Sequence, residues 1–329
     1  MVYNYITADE AAEMIPHGAT VGFSGFTAPG TPKFIPEAIA KRAEKEHESG
    51  REYKINLFTG ASTSDRADGN LSRANALNMR APYQNVPDLR KRINSHDCHY
   101  FDRHLSEMAQ EVRYGFYGKI DFAIIEATSI SPDGEVLLGC GLGNVPTYAA
   151  LADKIFIELN EALPESLYSM HDVILLQDPP YRREIPIYHA NDRIGSPVLK
   201  IDPNKVVGIV KTRSYDGVKP FSAPDEVSKQ IGSNVVRFLV SEYVNGRLPK
   251  EFLPLQSGVG NVANAVLYDL GESKELPSFM MYTEVIQDAV LELMKKGKCT
   301  FASTCSMTFS DSTEESLFAD IKYFHDKIL

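Results

Sequence analysis

Two parts of this 329-residue sequence have residue types and spacing suited to chemistry. One is Gly258-Val259-Gly260-Asn261-Val262-Ala263, a G-x-G-x-x-A pattern between an apolar run and a helix-period segment. Glycine lets a backbone approach a ligand closely, and a helix that starts there offers unbonded N–H groups to an anion. The pattern is near the dinucleotide fingerprint, with the acidic Glu284 following at the end of the next expected strand. A nicotinamide dehydrogenase is therefore one reading, and a βα turn that uses glycine only for close packing is another. Against a nicotinamide site, little chain follows Glu284 to complete a second mononucleotide half, and Asn261 and Asn264 add polar groups beyond what a pyrophosphate cradle needs. The other part is Met281-Tyr282-Thr283-Glu284-Val285, expected at a strand end just ahead of a helix. There Glu284 would face the crevice beyond the carboxyl ends of the strands, held ionised by the helix N-terminus as a nucleophile or base. A glutamate that merely suits the helix dipole is the plain alternative.

The elements that must position these residues follow from short apolar runs alternating with helix-period segments. Ala19 to Phe23 reads as a buried strand that opens into Ser24-Gly25-Phe26-Thr27, and a helix with Ile35 and Ile39 four apart follows. Ile55 to Phe58, Phe122 to Ile125 and Ile155 to Leu159 are further strands. Strands in alternation with helices imply βαβ units and a mostly parallel sheet. Thr7-Ala8-Asp9-Glu10 is a capping box for a first helix.

The aperiodic stretch Thr212 to Pro224 reads as the boundary between an N-terminal domain, residues 1–213, and a C-terminal domain, residues 214–329. Beyond it, Val227, Ile231, Val235 and Leu239 lie at i, i+4 spacing as an apolar stripe on one long helix expected to stop at Asn245-Gly246. Strands are expected at Phe252 to Leu255 and Phe279 to Tyr282, with a helix through Val285, Ala289 and Leu293. The last segment closes on Phe324 and Ile328-Leu329 without a glycine stop or polar tail, as a chain interrupted inside its second domain would. Gly141-Leu142-Gly143-Asn144-Val145 echoes Gly258-Val259-Gly260-Asn261-Val262, in keeping with two domains of similar βα design.

Composition narrows the function classes. At 43% hydrophobic, 10% aromatic and 24% charged, the chain matches ordinary globular proteins. The 34 Lys and Arg against 44 Asp and Glu give a formal charge of −10, which argues against nucleic acid as a partner. Four cysteines, Cys98, Cys140, Cys299 and Cys305, form no CxxC pair, and no apolar run is long enough to span a membrane. A cytoplasmic protein is the expectation.

Longer stretches carry a resemblance. Leu253-Pro-Leu-Gln-Ser-Gly-Val-Gly-Asn-Val-Ala-Asn-Ala-Val266 followed by Tyr282-Thr-Glu-Val-Ile-Gln-Asp288 resembles the acetyl-CoA hydrolase/transferase family, class I CoA transferases of the succinyl-CoA:acetate type. Ser24 to Lys33, Leu57 to Thr63, Tyr100 to Leu105 and Phe221 to Glu226 are similar to the same family. The resemblance implies two open, mostly parallel-sheet α/β domains, the second incomplete here. It implies a ping-pong exchange of CoA between an acyl-CoA (acetyl, propionyl or succinyl) and a free carboxylate, through a glutamyl-CoA thioester on Glu284. It makes the Val259 N–H an oxyanion donor, Gly258, Val259, Gly260, Asn261 and Val262 the CoA-binding turn, and Ser62 a residue lining the carboxylate pocket. It also implies a homodimer, with CoA as substrate and no metal or organic cofactor.

Alternatives kept open are an acyl-CoA hydrolase and a catalytically incomplete CoA-binding fragment. Relatives continue past the point where this sequence stops and carry further CoA-binding and active-site residues there, and they often have threonine where Asn85 stands. Elsewhere, His96, Cys98, His99 and His104 fall in a polar stretch and read as a loop rather than a zinc site. Lys295-Lys296-Gly297-Lys298 reads as a solvated helix end, with contact to CoA phosphates as the alternative.

Overall fold

The apolar runs are buried almost without interruption, because the sheet they build has a core on each face. In a computed structural model describing residues 2–218 and 223–329, the chain divides into two units. The first comprises Met1–Glu184 and Gly195–Asp216, the second Ile185–Ile194 and Gly217–Leu329.

The first unit holds β1 (Thr20–Phe23), β2 (Ile55–Ser62), β3 (Leu77–Gln84), β4 (His99–Tyr100), β5 (Phe122–Ile130), β6 (Glu135–Leu138), β7 (Lys154–Asn160), β8 (Leu199–Lys200) and β9 (Val206–Thr212). Seven of them run parallel in the order β4-β3-β2-β1-β5-β7-β9. β6 and β8 extend the far end of β5 in antiparallel fashion. Val21, Phe23, Ile55, Leu57, Ile124 and Phe156 point into one core. Helices α1 (Ala8–Glu13), α2 (Phe34–Glu48), α3 (Asn70–Arg73) and α4 (Pro87–Asn94) pack against it through residues such as Ala11, Ile35, Leu71 and Leu89. Phe58, Ile125, Ile155 and Ile157 point the other way, toward α5 (Leu105–Arg113) and α6 (Val145–Leu151). A parallel sheet needs this double cover. α1 begins on the expected capping box, Thr7 with Glu10.

Strand order reverses between β1 and β5, so the carboxyl ends of those strands flank the switch point where open α/β sheets bind ligands. Buried charge concentrates here. Lys33 Nζ lies 2.5 Å from Glu126 Oε2 and 2.8 Å from Asp216 Oδ1. Asn160 Nδ2 donates to Glu126 Oε1 at 2.6 Å and to the Ser214 carbonyl at 2.7 Å. Glu158 accepts the backbone N–H groups of Lys33, Phe34 and Ile35 at 2.8, 3.0 and 2.6 Å, doing for α2 what a side-chain N-cap would do. The tie from Lys33 to Asp216 keeps the chain with the first unit through residue 216, three residues past the sequence-derived boundary.

In the second unit, Asp225 caps α7 (Glu226–Val244), which stops at Asn245 and Gly246 (φ +71°) as read from the sequence. Its buried face is Ser228, Gly232 and Val236, whereas Val227, Ile231 and Val235 of the expected apolar stripe are exposed. The reason is Gly232, whose lack of a side chain lets α7 close on the Ala265 backbone of α8 (Asn261–Glu272). β10 (Phe279–Ile286) and β11 (Cys299–Met307) pair in parallel, joined through α9 (Asp288–Lys295). The expected strand Phe252 to Leu255 reduces to one bridge, Leu255 with Met281. Phe252 has φ +47°, and Pro254 has no N–H to give a ladder. Lys296 pairs with Glu272 at 2.5 Å, and Lys298 donates to the Ser273 and Leu276 carbonyls at 2.7 Å, so this helix end is tied down by its own unit.

Burial raises the Glu126 carboxyl from its ordinary 4.5 to about 7, against the pull of Lys33 and with the negative charge of Asp216 adding to the rise. Burial pulls Lys33 down, but Asp216 and Glu126 together outweigh it and hold the ammonium charged. Folded Glu126 thus keeps a proton that the unfolded chain has already released. Its contribution to stability is present below the unfolded value and is lost as pH rises toward 7, while Lys33 contributes constantly across that window. In urea unfolding, the stability of the wild type relative to Glu126→Gln is expected to fall between about pH 5 and about pH 7.5. A pH-independent difference contradicts the assignment.

Candidate active site

Glu284 lies inside β10, with two more strand residues after it, and α9 starts only at Asp288. This corrects the expectation of a strand-end glutamate under a helix N-terminus: pairing with β11 carries the strand through Ile286 with Met307. Glu284 is exposed, and its carboxylate has no hydrogen-bond or ion-pair partner among the described residues. The registers Thr283 with Thr304 and Val285 with Ser306 set Glu284 beside Cys305. Thr304 Oγ1 donates to the Glu284 carbonyl at 3.1 Å, which fixes the backbone beneath the carboxylate.

The glycine turn is fastened to the same strand. Leu255 N–H donates to the Met280 carbonyl at 2.9 Å, and Tyr282 N–H donates to the Leu255 carbonyl at 3.0 Å. One residue before Glu284, Thr283 Oγ1 accepts the Ser257 N–H at 3.3 Å and lies 3.2 Å from the Ser257 carbonyl. Three residues after it, Gln287 Nε2 donates to the Gly258 carbonyl at 3.2 Å. Val259 (56% exposed) and Val262 (44% exposed) stand at the surface, and Asn261 opens α8. Gly260 has φ +128° and ψ 175°, a conformation closed to side-chain-bearing residues, and it forms the N-cap of α8. Glu284 and residues 258–262 therefore belong to one construction within the second unit.

The echo at Gly141-Leu142-Gly143 turns out to be different physics. A Cβ at Gly143 would strike the Gly25 carbonyl oxygen, and one at Gly141 the Pro29 carbonyl oxygen, so this copy is a packed backbone knot. Around Gly258 and Gly260, no group of the described residues comes within 4 Å of where a Cβ would sit. Close packing therefore does not account for the second pair of glycines. The dinucleotide reading also loses its context, because a full strand does not precede this turn.

Ser62 belongs to the first unit, at the carboxyl end of β2, where Thr27 bridges to it. It is 2% exposed and its hydroxyl has no partner among the described residues. Gln84, paired with Ser62 across β2 and β3, likewise has a buried Oε1 without a partner. Sequence reading passed over Gln84, Thr283 and Gln287, since only their register on the strands distinguishes them. Asn85 is exposed just past β3. Phe221 and Ser222 of the family-like stretch lie outside the described residues. Cys98 is buried with its thiol against the His99 carbonyl, and the described residues do not gather His96, Cys98, His99 and His104 into a ligand cluster.

Comparison with known proteins gives this geometry a family. The acetyl-CoA hydrolase/transferase N-terminal domain profile matches residues 2–211. Over 324 residues, covering 98% of this chain, the sequence is 46% identical to propanoyl-CoA:succinate CoA transferase of Escherichia coli K12 and 42% identical to succinyl-CoA:acetate CoA-transferase of Clostridium kluyveri. It is 36% identical, over the full chain, to an acetyl-CoA hydrolase of Neurospora crassa. The chain spans 66%, 60% and 63% of the lengths of these relatives. RipA from Yersinia pestis shares the fold (TM-score 0.68, 18% identity, covering 95% of this chain and 66% of that one). So does a 4-hydroxybutyrate CoA-transferase from Porphyromonas gingivalis (TM-score 0.57, 18% identity, 94% and 63%). The fold is thus a mostly parallel α/β architecture shared with a CoA-transferase. The chain itself belongs to the acetyl-CoA hydrolase/transferase family.

The contrast between the two glycine pairs is measurable. Gly143→Ala combines a left-handed backbone with a collision on a carbonyl oxygen and is expected to cost more than about 2 kcal/mol in urea unfolding. Gly258→Ala is expected to stay within about 0.5 kcal/mol of wild type. Equal losses at both positions would contradict the distinction.

Proposed function

We propose that this chain carries the nucleophile and oxyanion turn of a CoA transferase that exchanges CoA between an acyl-CoA and a small carboxylic acid. The observation that carries the reading is an exposed carboxylate, Glu284, unpaired among the described residues, on a strand to which an uncrowded glycine turn is fastened on either side of it. A Glu284 oxygen attacks the acyl carbonyl carbon, and the C–S bond breaks to give an acyl-glutamyl anhydride and CoA thiolate. The thiolate attacks the glutamyl carbonyl, expelling the first carboxylate and leaving a glutamyl-CoA thioester. The acceptor carboxylate then attacks that thioester, and the steps run in reverse to the new acyl-CoA and free Glu284. Each addition places negative charge on a carbonyl oxygen, and the Val259 N–H is the donor for it; loss of such a donor costs on the order of 10²–10³ in rate. Gly258 to Val262 hold CoA, and Ser62 contacts the carboxylate of the acid. Acetyl, propionyl and succinyl groups are the substrate class, in line with the names of the relatives. The reading includes a homodimer acting in the cytoplasm, with CoA as substrate and no metal or organic cofactor.

Acetyl-CoA hydrolysis is the second reading, favoured by the name of the Neurospora crassa relative and by the exposure of Glu284, which would admit water to the thioester. A fragment that binds CoA without turnover is the third.

Intact mass after incubation with acetyl-CoA or succinyl-CoA, then borohydride reduction and peptide mapping, tests the mechanism. A CoA-sized adduct, with reduction confined to the Glu284 peptide, is expected. A folded chain that captures CoA but forms no adduct supports the fragment reading, and adduct formation with acid release but no exchange supports the hydrolase.

A further inference from the structure

The strand expected to lead into the glycine turn forms only a single bridge, Leu255 with Met281, so a backbone ladder does not hold residues 257–260 in place. Two side chains of β10 and its exit take over. Thr283 is 5% exposed, and its hydroxyl meets both the N–H and the carbonyl of Ser257, as a paired strand residue would. Gln287 is 2% exposed and donates to the Gly258 carbonyl, while its own Oε1 stays buried without a partner among the described residues. Burying an unbonded amide oxygen is costly, and a methionine would fill the same volume without that loss. The one side-chain bond that Gln287 makes among the described residues therefore calls for an explanation beyond packing.

We infer that Thr283 and Gln287 are positioning residues that fasten the Val259 N–H at a set distance from Glu284. Both lie within three residues of Glu284 in the chain, so any slip of the turn along β10 is a slip of the oxyanion donor relative to the nucleophile. They touch neither acyl group nor CoA in this scheme and act through the backbone of Ser257 and Gly258. The inference rests on the proposed exchange mechanism. It adds that the donor's placement is set from the strand of the nucleophile rather than from α8.

The test uses the 329-residue chain and four variants: Thr283→Val, Thr283→Ser, Gln287→Met and Glu284→Gln. The rate of glutamyl-thioester formation at saturating acyl-CoA, the KM for acyl-CoA, and amide hydrogen exchange of the peptide spanning residues 256–262 are measured, with melting midpoints required to stay within about 3 °C of wild type. Thr283→Val and Gln287→Met are expected to slow thioester formation about 10- to 100-fold with KM changed less than about 3-fold, and to speed exchange in that peptide. Thr283→Ser keeps the hydroxyl and is expected to stay within about 3-fold of wild type, while Glu284→Gln forms no adduct. Wild-type rates in both Thr283→Val and Gln287→Met overturn the inference, as does a Thr283→Ser chain as slow as Thr283→Val. A wild-type chain that forms no adduct overturns the mechanism and this inference with it, so the two failures are distinguishable.

Discussion

A carboxylate taken out of water must be answered by a donor within reach, and that requirement organises the first unit. Glu158 is answered by three backbone N–H groups and so starts α2. Glu126 and Asp216 share Lys33, which ties the loop after β1 to the segment after β9. Asp68 takes both Nε and a terminal nitrogen of Arg80, at 2.9 and 3.0 Å, with both side chains fully buried. These pairs sit among elements of the parallel sheet, and those of Glu158 and Lys33 join parts of the chain that are distant in sequence. Glu284 meets the same rule differently. It stays at the surface of its strand, where water solvates it, and it is left without an internal partner among the described residues. In the proposed mechanism, that lack of an internal donor leaves the carboxylate accessible to an acyl-CoA.

The second unit then turns on how an uncrowded glycine turn is held near the strand that carries Glu284. A glycine pair free of packing neighbours has no intrinsic reason to keep one conformation. Thr283 and Gln287 supply the restraint from the strand side, and the Gly260 cap directs the chain into α8 from the other. Electrostatic stabilisation of a developing oxyanion depends on donors being in place before reaction, so under the proposed mechanism restraint of the turn is part of the chemistry.

Much of this was legible in the residues. Apolar runs in alternation with helix-period segments called for a mostly parallel sheet, and capping residues marked the start of α1 and the stop of α7. Family-like stretches singled out Glu284 and the turn at 258–262, and the structure fastens that turn to the strand carrying Glu284. Most of what could not be read depended on partners elsewhere in the chain. β3 hid because Arg80 interrupts its apolar pattern, and only the buried Asp68 makes an arginine acceptable there. The buried face of α7 shifted to Ser228, Gly232 and Val236 because a glycine determines how near α8 can come. The strand at Phe252 to Leu255 failed for local reasons, a left-handed residue and a proline, that the apolar run masked. The two Gly-x-Gly-Asn-Val echoes share residue types but not physics, one a packed knot and the other an open turn.

The central claim is that the Glu284 carboxylate exchanges an oxygen with the acids it serves. If the acceptor acid attacks a glutamyl thioester, one of its oxygens stays on Glu284 when the new acyl-CoA leaves. In a later turnover that oxygen attacks the next acyl-CoA and departs with the released acid. The most direct measurement is therefore mass spectrometry of succinate released from unlabelled succinyl-CoA during turnover with acetate labelled with ¹⁸O in its carboxylate. The account predicts ¹⁸O in the succinate, passed through Glu284, and none when Glu284→Gln replaces the wild type. Acetyl-CoA formed at a steady rate with the released succinate free of label would contradict it.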